Sequence, residues 1–218
     1  MKVGKVKKGR RSRAEARQEI LDRAVEFLWE HPFRDISVAR LMTHTSIGRS
    51  AFYVYFRDIH QLAEILLGQV REAIEQAIKP WLAGTGEPVP ALVTSLQGLV
   101  TVCVEHGPII RAVAEATSTS AELEGLWSEF LGGFDRAVET RVRAEQRAGR
   151  IGAMDARAMA RALNRLDAAH LIDSFGRHPQ PDPDQVAQTL TTIWISTLYG
   201  PEKLNNAPLS VMLNEMST

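Results

Sequence analysis

The sequence predicts an all-α protein of about nine helices, with a short helix-turn-helix unit at the amino end and a larger helical domain behind it. Three observations predict this. Apolar residues recur at spacings of three and four from Ile20 onward, the period-two alternation of strands is almost absent, and capping residues, prolines and glycines punctuate the periodic stretches. The chain has 218 residues, 44% of them hydrophobic, enough for one sizeable core or a core with a small satellite domain.

The first helix opens at Ser12, whose hydroxyl can cap while Glu15 reaches back, and it carries Ile20, Ala24, Phe27 and Leu28 on one face. His31-Pro32 ends it, because a residue before proline is pushed out of the helical region. Ser37 caps a second helix with Val38, Leu41 and Met42, and Thr45, Ser46 and Ile47 form a very short connection to a third, from Arg49 to about Tyr55. So short a helix is unstable alone, so Phe52 and Phe56 must anchor it against the first two. Asp58 with Gln61 opens a long helix whose stripe, from Leu62, Ile65 and Leu66 through Ile74 and Ile78 to Trp81, spans more than five turns.

Gly84 to Pro90 is a breaker-rich loop. Beyond it the periodicity predicts helices near 90–106, 108–116, 120–149, 155–177 and 183–199. Pro108 suits a first turn, Thr119 with Glu122 forms a capping box, and Pro179, Pro181 and Pro183 hold an extended loop. Gly200-Pro201 stops the last helix. The expected organisation is a flexible basic arm (1–12), a helix-turn-helix domain (13–57), a larger helical domain (58–200) and a mobile polar tail (201–218).

The formal net charge of zero conceals an asymmetry. Residues 1–60 hold 13 Lys/Arg against 7 Asp/Glu, a balance of +6, and residues 61–218 hold 13 against 19, a balance of −6. Seven of the first 13 residues are basic, among them Lys7, Lys8, Arg10 and Arg11, and none is acidic. Such an arm gains counterion-release energy on a polyanion, although an address signal or a solvated tail has the same composition. No run reaches the ~18 apolar residues of a membrane span and no signal peptide is apparent, so the expected location is the cytoplasm. Cys103 is the single cysteine and sits in an apolar run, which suits core filler better than a thiol with chemistry.

Two short helices in tight succession match the arrangement that lays its second helix in the major groove of duplex DNA. Here that helix carries Arg49, Ser50, Ala51, Tyr53 and Tyr55 besides its anchors. Arginine can bridge a guanine edge, tyrosine hydroxyls reach phosphates, and a small residue permits close approach or contact with a thymine methyl. Composition alone equally allows the tyrosines to pack at a domain junction.

The run Asp35-Ile36-Ser37-Val38, then Leu41, then Ile47-Gly48-Arg49-Ser50-Ala51-Phe52-Tyr53-Val54-Tyr55-Phe56 resembles the signature of the TetR family of transcription regulators. The resemblance implies a dimer that binds a pseudo-palindromic double-stranded operator and releases it on binding a small, mostly apolar ligand, acting most often as a repressor. It also implies that Arg49, Ser50, Ala51 and Tyr53 face bases or nearby backbone, that Tyr55 grips a phosphate, and that Phe52 and Phe56 are core; Ser37 joins the expected DNA-binding set. Three positions depart from the family pattern: Ser46 stands where glycine is usual, Gly48 where a capping serine or threonine is common, and Ile59 where a phosphate-binding lysine is frequent, which Arg57 or the arm would have to offset.

In the larger domain, Trp127, Phe130, Phe134, Phe175, Trp194 and Tyr199 recur at helical spacing, which by itself suits a core. Asn164, Asp167, His170 and Ser174 form a polar line on one helical face, a pattern that suits solvent equally well. The family resemblance extends through Glu122-Leu123, Leu126 to Phe130, Ala162 to Asn164, Ser174-Phe175, Ile193-Trp194 and Leu198 to Gly200. In one branch of the family the positions of Trp127, Asn164 and Trp194 line a long apolar channel, with asparagine in place of Asp167 and tryptophan in place of Phe134. The ligand set so implied is Trp127, Phe130, Phe134, Asn164, Asp167, Phe175 and Trp194. An aspartate there should favour a ligand that donates hydrogen bonds or is cationic, unless Arg165, His170 or a protein partner pairs with it. The resemblance places the homodimer interface on the helices near 155–177 and 183–199, whose apolar positions include Leu163, Leu166, Ala169, Ile172, Val186, Leu190, Ile193 and Leu198.

Other classes have weaker support. Glu105 beside His106, and Asp167 three residues before His170, are the best hooks for catalysis or a metal, yet neither has a second paired motif to complete a site. No cofactor, metal or catalytic residue is expected. A protein-interaction module with a basic arm is the remaining alternative.

Overall fold

A computed structural model describes residues 12–206; the basic arm with Lys7, Lys8, Arg10 and Arg11, and residues 207–218 of the tail, lie outside the described residues. Among the described residues there are eight α-helices: α1 (Arg13–Glu30), α2 (Val38–Met42), α3 (Phe52–Tyr55), α4 (Ile59–Leu82), α5 (Pro88–Ala116), α6 (Ala121–Arg147), α7 (Ala156–Phe175) and α8 (Pro183–Leu198). Short 3-10 turns occupy Phe33–Asp35, Arg49–Ala51 and Pro201–Asn206.

The amino-terminal caps act as their spacing dictates. Ser12 Oγ accepts from the Glu15 amide at 3.1 Å while the Glu15 carboxylate accepts from the Ser12 amide at 2.8 Å, and His31 ends the helix in extended backbone. Ser37 caps α2 and Asp58 caps α4, each accepting from the amide three residues on. The third helix divides into a 3-10 turn and a single α-turn, held by Phe52 and Phe56, which are 0% and 1% exposed with ring centroids 5.2 Å apart. Burying two such rings supplies what one turn of backbone cannot.

Two expectations need correction. The stretches 90–106 and 108–116 are one helix, with Pro108 in its interior, so the described residues hold eight helices where about nine were expected of the chain. Proline deprives the carbonyl four residues back of its donor. That carbonyl belongs to Val104, and the Gln180 side-chain amide supplies the missing hydrogen bond at 3.0 Å while also donating to the Phe175 carbonyl at 3.2 Å. Gly107 makes the crossing possible, since a β-carbon there would lie 2.1 Å from the Phe175 carbonyl oxygen. The unbroken α5 is long and apolar enough, by composition, to cross a membrane; in the fold it is the central helix, packed by α4, α7, α8 and α1.

The second correction concerns α6. Its cap is Ser120, which accepts from the Leu123 amide, whereas the Thr119 hydroxyl turns back to donate to the Ala116 carbonyl at the end of α5.

One contiguous core runs through the molecule, from Ile20 and Phe52 through Leu66 and Val70 to Leu123, Phe175 and Ile195. Two features join the amino-terminal helices to the rest. The buried Arg111 of α5 donates from one nitrogen to the carbonyls of Leu28 and His31, the latter at 3.1 Å, and so caps the end of α1 with a cation where its dipole is negative. Trp29 stacks on His178 at 4.2 Å. At the other end of the bundle the fully buried Glu145 takes Arg150 on both oxygens at 2.7 Å and Arg141 at 2.6 Å. Those guanidiniums hold its carboxyl below the usual range against the opposing effect of burial.

Candidate functional site

The first candidate site is the outer face of the helix-turn-helix. Arg49 and Ser50 are exposed, Ala51 is half-buried, and Tyr53 is 59% exposed, its ring only edging Phe52 at 5.5 Å. Tyr53 is thus free of the packing role that composition allowed it. Tyr55 is half-buried and packs against the core, and Ser37 spends its hydroxyl on capping α2. Val54, 66% exposed beside Tyr53, shares this face and is not among the residues the motif singles out; its signal is an apolar residue on a face the anchors do not use. A methyl-bearing side chain there can meet a thymine methyl.

The departures from the family pattern acquire reasons. Glu19 of α1 receives both the Ser46 amide, at 2.7 Å, and the Ser46 hydroxyl, at 3.2 Å, so the turn between the two helices is clamped to α1 through the residue that replaces glycine. Gly48 takes ordinary extended angles and provides no side-chain cap. Ile59, half-buried, packs against the core at the start of α4, and Arg57 is engaged by Asp58 at 2.8 Å and by Glu122 at 3.5 Å.

The second candidate site is a cavity of about 80 Å³ lined by α4 to α8. Of the seven residues expected around a ligand, Trp127, Phe130 and Phe134 line it from α6, Asn164 and Asp167 from α7, and Trp194 from α8. Phe175 does not; it is fully buried where α7 crosses Gly107, and belongs to the solid core. Trp81 from α4 and Cys103 and Ile110 from α5 complete the wall. Sequence spacing places each on its own helix's buried stripe without revealing that the stripes leave a gap between them. The rings interlock: Trp127 stacks on Phe130 at 5.5 Å, Phe134 meets Phe130 edge-on at 5.2 Å, and Trp81 meets Trp194 at 5.6 Å and 87°.

The polar line of α7 faces inward. Asp135 of α6 pairs with Arg165 through both oxygens, at 3.0 and 3.1 Å, and accepts from the Asn164 side-chain amide at 2.9 Å. Arg165 is therefore spent on Asp135, and Asp167 takes as its partner the indole N–H of Trp194, at 3.0 and 3.1 Å from its two oxygens. Asp167 is 6% exposed, and burial pushes its carboxyl up to about 7 in spite of that hydrogen bond. Burial likewise pushes the Cys103 thiol up to about 12, with the Asp167 charge adding to it, which leaves the thiol inert. His170, one turn beyond Asp167, has its Nε2 buried with no partner among the described residues. Glu105 and His106 make only a 3.8 Å surface contact.

The chain and its fold have relatives among known proteins. The carboxy-terminal domain family of the transcriptional regulator EthR matches residues 92–200. The EthR regulator of Mycobacterium tuberculosis is 28% identical over 185 residues, which cover 83% of this chain and 86% of that protein. Among solved structures, a TetR-family regulator from Syntrophomonas wolfei superposes with a TM-score of 0.71 at 13% identity, covering 85% of this chain and 95% of that one. AibR, solved in complex with isovaleryl coenzyme A and operator DNA, superposes with a TM-score of 0.66 at 13% identity, covering 86% and 100%.

Proposed function

Because the chain belongs to the TetR family of transcriptional regulators, in the group that shares the EthR carboxy-terminal domain, we propose that it is a ligand-released repressor that binds its operator as a dimer. The observation that carries this reading is the conjunction of the two sites in one chain: a reading helix with Tyr53 and Val54 bare to solvent, and an aromatic-walled cavity in the larger domain. Neither enzymatic nor purely adhesive function accounts for both. Arg49, Ser50, Ala51, Tyr53 and Val54 enter the major groove, Tyr55 and the basic arm with Lys7, Lys8, Arg10 and Arg11 serve the phosphates, and the protein works in the cytoplasm where its DNA is.

Two copies associate through α7 and α8. Leu163, Val186, Leu190 and Leu198 are turned into the protein's own core, so the outer face falls to Leu166, 37% exposed, and Ala169, with Ile172 and Ile193 half-buried beside them. A two-fold dimer implies half-sites about one helical turn, ~34 Å, or somewhat more apart.

Ligand and DNA communicate through α5. Ile110 lines the cavity, and its neighbour Arg111 holds the last carbonyls of α1, so a ligand that favours one position of α5 also favours one position of the reading unit. Selection of bound genomic fragments would identify the operator, against which Tyr53→Ala should lower affinity at least about 10-fold and leave the melting temperature nearly unchanged. A large fall in melting temperature, or unaltered operator affinity, would refute this assignment of the reading face.

A further inference from the structure

The cavity is walled by five aromatic rings, yet it contains a buried carboxylate with no cation to balance it. Asp167 is the sole charged residue among those lining the space; no Lys, Arg or His stands with it. Its neighbours have been spent elsewhere: Arg165 is taken by Asp135, and the one N–H that reaches Asp167 is the neutral indole of Trp194. A charge in an apolar interior is costly unless paired, so an unpaired one in a cavity is a vacancy for a complementary group.

The second polar group at the wall points the same way. Asn164 commits its amide nitrogen to Asp135, which as a carboxylate paired with Arg165 can only accept. That leaves the Asn164 carbonyl oxygen, which accepts from no described residue. Asp167 and Asn164, one helical turn apart on α7, thus offer acceptors. Around them stand Trp127, Phe134 and Trp194, whose faces attract cations, while Trp81 and Phe130 already carry Arg141 and Arg71, each 5.7 Å from the ring centre.

We infer that the effector is an amphipathic cation, an ammonium group on an apolar body, with its charged head between Asp167 and the Asn164 carbonyl and its body among the aromatic rings. This rests on the proposal that the cavity is the ligand site and names the class of ligand. The small volume suits a slender molecule. A proton neutralises the empty site, because burial holds Asp167 near 7, so an ammonium ligand displaces that proton and binds better as pH rises from 6 to 8. The other titratable groups around Asp167 do not explain such a trend: Cys103 from α5 stays protonated up to about 12, Asp135 from α6 is locked to Arg165, and α8 contributes only Trp194. His170 on α7 itself is the one group to separate, by His170→Gln.

The test compares three probes of one shape, 4-phenylbutylamine, 4-phenylbutanol and 4-phenylbutyrate, by quenching of tryptophan fluorescence and by thermal shift on the full chain. The amine should bind about 10-fold or more tighter than the alcohol, the carboxylate should be the weakest, and the preference for amine should collapse in Asp167→Asn while alcohol binding survives. The pH trend should persist in His170→Gln and vanish in Asp167→Asn. Equal binding of amine and alcohol to the wild-type protein would overturn the cationic class while leaving the cavity as the ligand site. No response to any probe would overturn both.

Discussion

The reading face and the cavity make opposite use of their residues. On the reading face, the proposed function falls to side chains outside the core: Tyr53 and Val54 are largely exposed, and the helix is held by two other residues, Phe52 and Phe56, spaced one turn apart. In the cavity the same side chains would serve stability and the proposed recognition, for Trp194 is at once core, cavity wall and the hydrogen-bond donor to Asp167. Changes to the first should therefore alter binding without altering folding, and changes to the second should alter both.

The sharpest way to break that contrast lies at the far end of the bundle, in the network that fixes α6 beside the cavity. Glu145→Ala should cost about 3–5 kcal/mol, because it leaves Arg141 buried without its counter-charge as well as freeing Arg150. Thermal or urea unfolding measures it, and a cost under ~1 kcal/mol would mean that the larger domain tolerates polar loss as easily as the reading face does.

Asp167 gives the contrast a pH dependence. Its folded-state pKa, about 7, lies above the ordinary carboxyl value of 3.8, so its contribution to stability is full below 3.8, is lost as pH rises, and is gone above about 7. Asp167→Asn removes that loss while keeping an acceptor for Trp194. The variant should gain on the wild type between pH 4 and 7, by an amount approaching ~4 kcal/mol as an upper bound, and the gap should be level above pH 7. A gap that does not change with pH would mean that Asp167 is hydrated in solution.

Arg111 tests whether the two regions are separable at all. Replacing it with methionine keeps the buried stem and removes the donors to the Leu28 and His31 carbonyls, at a cost of about 1–3 kcal/mol. Hydrogen exchange should quicken in the last turn of α1 more than in α7, and ligand should change operator affinity less than it does in the wild type. Equal protection of α1 in both proteins would assign Arg111 to the core alone.

How much the sequence could disclose follows from the range of each interaction. Caps, the Phe52 and Phe56 anchors and the buried stripe of α4 depend on residues within one or two turns, so spacing displays them. Pro108 misleads because its remedy, Gln180, comes from a loop beyond α7, and no local rule connects them. Thr119 misleads for a smaller reason: Ser120 beside it competes for the same cap, and the hydroxyl of Thr119 finds a carbonyl on the preceding helix instead. The cavity is the extreme case. Six of its seven expected residues line it, an expectation that came from the family resemblance and not from spacing, whereas the partner of Asp167 is fixed only when α8 brings Trp194 across to α7.

The smallest effect returns to the reading face, where stability should be adjustable without function. Gly48 opens the 3-10 turn at φ −65° and ψ 145°, angles any residue adopts, and a β-carbon there would meet nothing within 4 Å. Gly48→Ser adds a hydroxyl able to accept from the uncapped amides of the turn and narrows the unfolded chain's freedom, together worth about 0.5–1 kcal/mol, or ~2 °C in melting temperature. Operator affinity should stay within about twofold, since Arg49 and Tyr53 keep their places. If the variant is instead more stable yet much weaker on DNA, the glycine serves close approach to the phosphate backbone, and position 48 joins the cavity residues in serving two ends at once.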